Sequence, residues 1–136
     1  MVTYVLDASA ILRYIEDEAG GKRVEETLKG LLAGKNLVKI SAVHWGEVAG
    51  IIVKKHGMQA LDTVLARLQS FGIEIIPATA ERAVHSALIK VQRKIPYADA
   101  FGVDLASDSR QHIFVTADFD VKPAEQDVRI EFLSKK

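Results

Sequence analysis

The sequence predicts an α/β fold, a three-layer α/β/α sandwich with a central parallel sheet of four to five strands. Short apolar runs rich in β-formers alternate with longer stretches in which apolar residues recur at helical spacing. Most of the short runs are continuously apolar, which indicates strands buried on both faces. Strands and helices that alternate in this way form βαβ units, and such units build a parallel sheet covered by helices on both sides.

Five segments have the composition of strands, and turn formers or helix caps bound them. The first is stopped by Asp7-Ala8-Ser9, the second ends at Ser41, and the third is closed by Pro77. The last one differs, because its apolar residues alternate with polar ones. The predicted strands are 2–6, 37–40, 73–76, 113–115 and 128–132.

Helices are predicted in the intervals between these strands. Ser9 can cap the first helix, which runs to about Glu16 and is broken by Gly20-Gly21. Gly34 and Gly57 stop two others, as glycine commonly does after a helix. The remaining predicted helices are 22–33, 42–56, 58–71, 79–94 and 98–109.

Composition limits the classes of function. The 136 residues predict one domain, 1–136, with a hydrophobic core of its own. The sequence has no apolar run long enough to span a membrane, no signal peptide and no cysteine, so we expect a cytoplasmic protein. Its 18 basic and 18 acidic residues give a net charge of zero, whereas a protein that holds nucleic acid by charge alone is far more basic.

Four carboxylates are predicted to meet at one edge of the sheet. Asp7 follows the first strand, Asp118 follows the fourth, and Glu47 lies in the second turn of the helix that starts at Ser41. Asp99 starts the helix that feeds the fourth strand, so its end of that helix is at the same edge. Parallel sheets carry their functional groups beyond the carboxyl ends of their strands. We therefore predict an acidic site at that edge.

The surroundings of two of these acids favour a cation as their partner. Glu47 lies on or beside an apolar stripe and is flanked by Gly46 and Gly50, which leave room for close approach. Asp99 has apolar residues below it, and neither stripe carries a lysine or arginine within helical reach. Carboxylates in such places lose hydration, and several like charges close together repel one another. All-oxygen ligands suit Mg²⁺ or Mn²⁺.

Structural roles are the alternative for each residue taken singly. Asp7 or Asp99 could cap a helix, Asp118 could be a turn residue, and Glu47 could pair with a distant lysine or arginine. The pair His44-x-x-Glu47 has the spacing of a zinc or iron site, but the other histidines have no matching motif. Four structural acids that nevertheless converge would be a less economical explanation than a metal site.

Four short motifs surround the acids, and their order and spacing cover essentially the whole chain. They resemble the motifs of the PIN domain (PilT N-terminal) family, and within it those of the VapC toxins of bacterial and archaeal toxin–antitoxin pairs. Each motif alone is weak, because an acid after a strand is common, whereas four in sequence are specific. The motifs are Val5-Leu6-Asp7-Ala8-Ser9-Ala10, Ile40-Ser41-Ala42-Val43 with Gly46-Glu47-Val48, Pro96-Tyr97-Ala98-Asp99-Ala100-Phe101, and Phe114-Val115-Thr116-Ala117-Asp118.

The resemblance implies a PIN-like sheet and a ribonuclease that depends on Mg²⁺ or Mn²⁺. It implies that the four acids, Asp7, Glu47, Asp99 and Asp118, are catalytic residues and metal ligands. It also implies supporting hydroxyls, a homodimer, an RNA substrate and a small antitoxin that blocks the acidic pocket. The supporting hydroxyls are Ser9 and Thr116, and Asp120 is a possible helper that matches no firmly defined position.

Several alternatives stay open at this point. The chain could be a PIN nuclease of RNA processing without an antitoxin, or a fold that has lost catalysis. It could also be a non-catalytic, Mg²⁺-binding receiver-like signalling module, although the third strand ends Ile76-Pro77-Ala78 without an acceptor aspartate. Two basic segments could contact RNA, although both resemble ordinary solvated helix ends: Lys54-Lys55-His56, and Lys90 with Arg93-Lys94.

Overall fold

The computed structural model describes residues 1–135 and confirms the predicted α/β fold with a parallel sheet. A 3₁₀ helix (Phe119–Gln126) links the last two strands. The other elements, in chain order, are β1 (Thr3–Leu6), α1 (Ala8–Ile15), α2 (Gly21–Leu32), β2 (Leu37–Ser41), α3 (Ala42–His56), α4 (Met58–Gln69), β3 (Glu74–Ile76), α5 (Ala80–Arg93), α6 (Tyr97–Ala106), β4 (His112–Thr116) and β5 (Arg129–Phe132).

The five strands lie in the order β3-β2-β1-β4-β5, and every neighbouring pair is parallel. Flavodoxin-like receiver domains have the order β2-β1-β3-β4-β5 instead, which argues against the receiver-like alternative. The register aligns Leu6 of β1 with Ile40 of β2 and with Val115 of β4. The carboxyl ends of β2, β1 and β4 are therefore side by side in the middle of the sheet.

Two apolar clusters fill the two faces of the sheet. On one face Leu6, Ile40 and Val115 are fully buried and pack with residues from α1 to α4. On the other face Val5 and Phe114 are fully buried and pack with α6 and the 3₁₀ helix. Burial on both faces explains why the central strands are continuously apolar in the sequence.

Gly102 brings α6 very close to the sheet. A methyl group at this position would overlap the ring of Phe114 and press on the ring of His44. All residues from Ala100 to Ala106 are buried, so the amino-terminal turn of α6 is held firmly over β1 and β2. This turn carries Asp99.

Two local predictions are wrong in detail, and one element was not predicted. Asp7, and not Ser9, caps α1, which begins at Ala8. The helix predicted to end at residue 109 stops at Ala106, where the hydroxyl of Ser107 donates to the carbonyl of Asp104 at 2.6 Å. The 3₁₀ helix was not predicted, because Pro123 within it reads as a helix breaker in the sequence. Within residues 1–135, no helix has the length and apolar character needed to cross a membrane.

Candidate active site at the carboxyl edge of the sheet

Asp7 is the best-anchored acid of the candidate site. Its side chain is 2 % exposed and accepts three hydrogen bonds. At Oδ1 it accepts from Ser9 Oγ at 2.7 Å and from the backbone N–H of Ala10 at 2.9 Å. At Oδ2 it accepts from Thr116 Oγ1 at 2.5 Å. The helix-capping alternative is therefore correct for Asp7, but capping uses only one of its two oxygens.

The hydroxyls of Ser9 and Thr116 connect Asp7 to the end of β4. Thr116 Oγ1 accepts from the N–H of Asp118 at 2.9 Å, and Ser9 Oγ accepts from the N–H of Ala117 at 2.9 Å. The two hydroxyl oxygens lie 3.3 Å apart. Each hydroxyl donates to Asp7 and accepts from the backbone, so together they fix the β4 end relative to β1.

Asp118 joins this network through its backbone N–H, whereas its carboxylate contacts the turn that follows. It caps the 3₁₀ helix, where Oδ1 accepts from the N–H of Asp120 at 2.9 Å. Asp118 is half-buried, whereas Asp120 is exposed one step further from the strand. The turn-residue alternative for Asp118 is thus correct locally, and Asp118 Oδ2 is not used by the cap.

Asp99 shows that the four acids share one electrostatic environment. Burial, together with the negative charge of Asp118, a hydrogen bond with it and the charges of Asp7 and Glu47, raises the pKa of Asp99 to about 7. Its Oδ2 atom is buried and has no hydrogen-bond partner. A carboxylate that is desolvated and repelled by its neighbours in this way lacks a cation or a proton.

Glu47 differs from its sequence-based description. Its side chain is 45 % exposed, so the expected loss of hydration is small. Neighbouring Gly46 and Gly50 face open space, since a methyl group at either would meet nothing within 4 Å. Within residues 1–135, its ion-pair contact is with His44 Nε2 at 3.8 Å, and no lysine or arginine reaches it. Glu47 therefore lies on the open side of the acidic pocket.

His44 lies beneath Glu47 and is packed in the interior. It is 1 % exposed and neither ring nitrogen has a hydrogen-bond partner. Its ring lies against Gly102, one turn along α6 from Asp99. A zinc or iron site at His44 and Glu47 would need a ring nitrogen of His44 that an ion can reach, whereas this ring is buried against α6.

The acids are near one another but do not form a closed cage. Among residues 1–135, no three acidic or histidine side chains already have the arrangement of a metal-binding group. The oxygen atoms that could hold a hard cation without breaking the Asp7 network are Asp99 Oδ2, the Asp118 oxygen that does not cap the 3₁₀ helix, and the exposed carboxylate of Glu47. Asp7 could contribute the remaining lone pairs of its two oxygens.

The two basic segments that could contact RNA are partly paired with acids of the chain itself. His56 pairs with Glu16 at 2.9 Å, and Arg93 pairs twice with Asp127, so both basic segments are partly neutralised within the chain.

Sequence reasoning missed Phe119, which follows Asp118 and is 40 % exposed. An aromatic residue between two aspartates beyond a strand was the available signal.

The fold occurs in several solved structures of low sequence identity. VapBC2 from Rickettsia felis, bound to a DNA fragment from its promoter, has a chain that superposes with a TM-score of 0.76 at 17% identity, covering 98% of this chain and 100% of that chain. DNA-bound VapBC from Salmonella typhimurium gives 0.70 at 18% identity, covering 97% and 98%. VapC20 from Mycobacterium tuberculosis, a sarcin–ricin loop cleaving toxin, gives 0.65 at 16% identity, covering 96% and 99%.

Family membership rests on the sequence match. No curated protein sequence matches this chain significantly. The family model of the PIN domain matches residues 4–125, a span that contains all four acids and both hydroxyls of the candidate site. The chain therefore belongs to the PIN domain family.

Proposed function

We propose that this PIN domain is an endoribonuclease that uses Mg²⁺ or Mn²⁺ to hydrolyse RNA phosphodiester bonds, and that it is the toxin of a VapBC-type pair. The observation that carries the proposal is Asp99. Its Oδ2 atom is buried without a hydrogen-bond partner, and burial together with the surrounding acids raises its pKa, so a cation would be stabilised beside it. The family match and the structural likeness to VapC20, a sarcin–ricin loop cleaving toxin, support RNA as the substrate.

The residues present fit a hard divalent cation. All donors at this edge are carboxylate or hydroxyl oxygens, which Mg²⁺ and Mn²⁺ prefer. The chain has no cysteine, and the one histidine nearby is buried and packed. The open arrangement also agrees with Mg²⁺ chemistry, because Mg²⁺ keeps several water ligands and needs only a few from the protein. We propose that Asp7, Glu47, Asp99 and Asp118 hold it, directly or through water.

Each side chain has a distinct role in this mechanism. When bound, the cation would lower the pKa of a coordinated water and neutralise charge on the phosphate. Ser9 and Thr116 hold Asp7 in one orientation, so that it presents the same lone pairs to every substrate. Asp99 offers the cation its buried Oδ2 atom, which has no hydrogen-bond partner among the described residues. Glu47 lies on the open side, where the RNA chain can approach past Gly46 and Gly50.

A small antitoxin is the protein partner that we propose. The Rickettsia and Salmonella relatives are VapBC complexes, and their matched chains are covered almost completely by this one. An antitoxin could inhibit this protein by placing a cationic side chain among the four acids, since they have no cation within the described chain. A short reading frame immediately upstream would support this assignment.

A second copy of the chain is a further proposed partner, and α5 offers the surface. Val84, Leu88 and Val91 lie on one stripe of α5 and are each more than half exposed. Antiparallel packing of two α5 helices about a twofold axis would place Val84 against Val91 of the other copy. The same register places Glu81 against Lys94, so apolar and charged residues match together.

A PIN nuclease of RNA processing without an antitoxin is the alternative within the same family. It would use the same acids and the same chemistry, so the site cannot separate the two. The exposed α5 stripe is compatible with both. The presence of an antitoxin gene, and inhibition of the nuclease by its product, would decide between them.

The direct test is cleavage of single-stranded RNA by the purified protein. We expect cleavage with Mg²⁺ or Mn²⁺, loss of cleavage with excess chelator, and recovery when the ion is restored. Asp7→Asn should be inactive, whereas Asp62→Asn, which changes an exposed acid on α4, should cleave like the unaltered protein. Cleavage that persists in chelator would contradict metal dependence, and no cleavage with either ion would contradict the nuclease assignment.

A further inference from the structure

Two stacked phenylalanine rings lie directly beside the acidic pocket. Phe119 is the residue after Asp118, and Phe132 ends β5 in register with Thr116. Their rings are nearly parallel, with an interplanar angle of 14° and centroids 4.8 Å apart. Thr116 and Asp118 belong to the candidate site, so both rings are attached to the backbone that forms it.

The outer ring of this pair is available to a ligand. Phe119 is 40 % exposed, although a large apolar side chain next to a polar site would ordinarily be buried. A ring has two faces, and Phe132 covers one of them. The other partner of the ring is the ammonium of Lys135, 4.4 Å from its centroid. An exposed cation–aromatic contact of this kind is weak, so a flat group can replace the lysine at low cost.

We propose that Phe119, backed by Phe132, stacks on a base of the RNA strand next to the cleaved phosphate, and that Lys135 then moves to the RNA backbone. This subsite rests on the proposed nuclease function for its substrate. Single-stranded nucleic acids are commonly held by aromatic rings beside basic side chains. The backing ring keeps Phe119 in one orientation, which lowers the entropic cost of ordering it on binding.

The neutral charge of the protein supports a stacking contribution. With a net charge of zero, the chain has no overall positive charge that would attract the phosphate backbone. The two basic segments singled out in the sequence are also partly paired with acids of the chain itself. Stacking needs no net charge and accepts any base, so it supplies affinity that these segments do not.

The test measures RNA binding in a cleavage-deficient background, so that it does not depend on nuclease activity. Fluorescence anisotropy would compare a labelled oligoadenylate of about 12 nucleotides with an abasic strand of the same length, both bound to Asp7→Asn protein. Adding Phe119→Leu should weaken binding of the oligoadenylate about tenfold and leave binding of the abasic strand unchanged. Phe119→Trp should restore the affinity for oligoadenylate.

Lysine variants provide the matched control. Lys135→Gln should weaken both strands to a similar extent, because it removes a backbone contact, while Lys122→Gln on the 3₁₀ helix should change neither. Equal oligoadenylate affinity for Phe119→Leu and its parent would overturn the subsite, and Phe119 would then be an exposed contact for a protein. Cleavage by the otherwise unaltered Phe119→Leu protein separates this failure from failure of the nuclease proposal.

Discussion

Thr116 Oγ1 donates a hydrogen bond to Asp7 Oδ2, and so the last residue of β4 fixes the acid that follows β1. The same oxygen accepts from the N–H of Asp118, which places two of the four acids on either side of one hydroxyl. Thr116 is fully buried, so water does not replace these hydrogen bonds when the hydroxyl is removed.

Thr116→Val should therefore weaken both the site and the fold. The valine keeps the shape of threonine but leaves Asp7 Oδ2 and the Asp118 N–H without this partner. We expect about 10- to 100-fold less RNA cleavage and a loss of about 1–3 kcal/mol in the free energy of unfolding, measured by denaturant titration. Thr116→Ser keeps the hydroxyl and should retain most of the activity. Full activity in Thr116→Val would show that Asp7 does not need this orientation.

The two aspartates beyond β4 should differ in importance. Asp118 is half-buried and contributes to the charge around Asp99, whereas Asp120 is exposed and meets Asp118 only through its backbone N–H. Asp118→Asn should lose cleavage by orders of magnitude at saturating Mg²⁺, and Asp120→Asn should keep most of it. The measurement is the cleavage rate of each variant with the same RNA. Equal losses would show that Asp120 takes part in the chemistry.

Asp99 should make the metal-free protein less stable as the pH rises. Its pKa in the folded protein is raised to about 7, so between about pH 4 and about pH 7 the folded state keeps a proton that the unfolded state has released. The stability contributed by this proton is present at low pH and is lost as the pH rises through the folded pKa. Mg²⁺ binding should also tighten over this window, because the ion competes with the proton.

Asp99→Asn tests this pH dependence. Melting temperatures in chelator, at about pH 5 and about pH 8, should show a smaller loss of stability for Asp99→Asn than for the unaltered protein. Asp62→Asn, at an exposed position on α4, should follow the unaltered protein at both pH values. Identical pH profiles for all three proteins would mean that burial and the surrounding acids do not raise the pKa of Asp99.

Asp104 offers a contrast, because it is a buried acid whose two oxygens both have partners within the chain. It is 3 % exposed and accepts from Arg82 at 3.0 Å and pairs with His85 Nδ1 at 2.6 Å. Arg82→Met should cost about 2 kcal/mol, less than for a fully buried pair because Arg82 is partly exposed and His85 remains. Lys90→Met, an exposed change on the same helix, should cost little. Cleavage per folded molecule should be unchanged in both.

A double variant checks that the cost of Arg82→Met is electrostatic. Adding Asp104→Leu removes the uncompensated charge and should recover much of the lost stability, since an apolar pair can replace a buried ion pair. If chemical denaturation shows no recovery of stability in the double variant, the stability lost in Arg82→Met comes from lost packing of the arginine side chain instead. A fall in RNA cleavage in either variant would show that Arg82 and Asp104 affect the candidate active site.

The α5 stripe should decide the oligomeric state. Leu88→Glu places a charge in the centre of the proposed twofold contact, and light scattering should show a monomer where the unaltered protein forms a dimer. Lys94→Glu should weaken the dimer, because it faces Glu81 of the other copy in this register. The exchange Glu81→Lys with Lys94→Glu should restore the dimer. A monomeric unaltered protein at high concentration would dismiss the interface.

The sequence by itself determined the order of the elements and the edge at which the acids meet. Two apolar runs, one before Asp7 and one before Thr116, are continuous because both strands are buried on both faces. The ends of these strands, and the acids beyond them, could therefore be placed from the pattern of apolar residues alone. Local chemistry also placed the start of a helix at Ser41 and placed Asp99 in a first helical turn. These inferences need only contacts between residues close together in the chain.

Only the tertiary structure decided which of these residues are partnered. The order of the strands, the hydrogen bond from Thr116 to Asp7 and the stacking of Phe119 on Phe132 all join residues distant in sequence, and no local pattern encodes them. The exposure of Glu47 and the burial of His44 were likewise set by how α3 packs against α6. Periodicity gives the face of a helix, but the depth of a residue on that face depends on what the rest of the chain places over it.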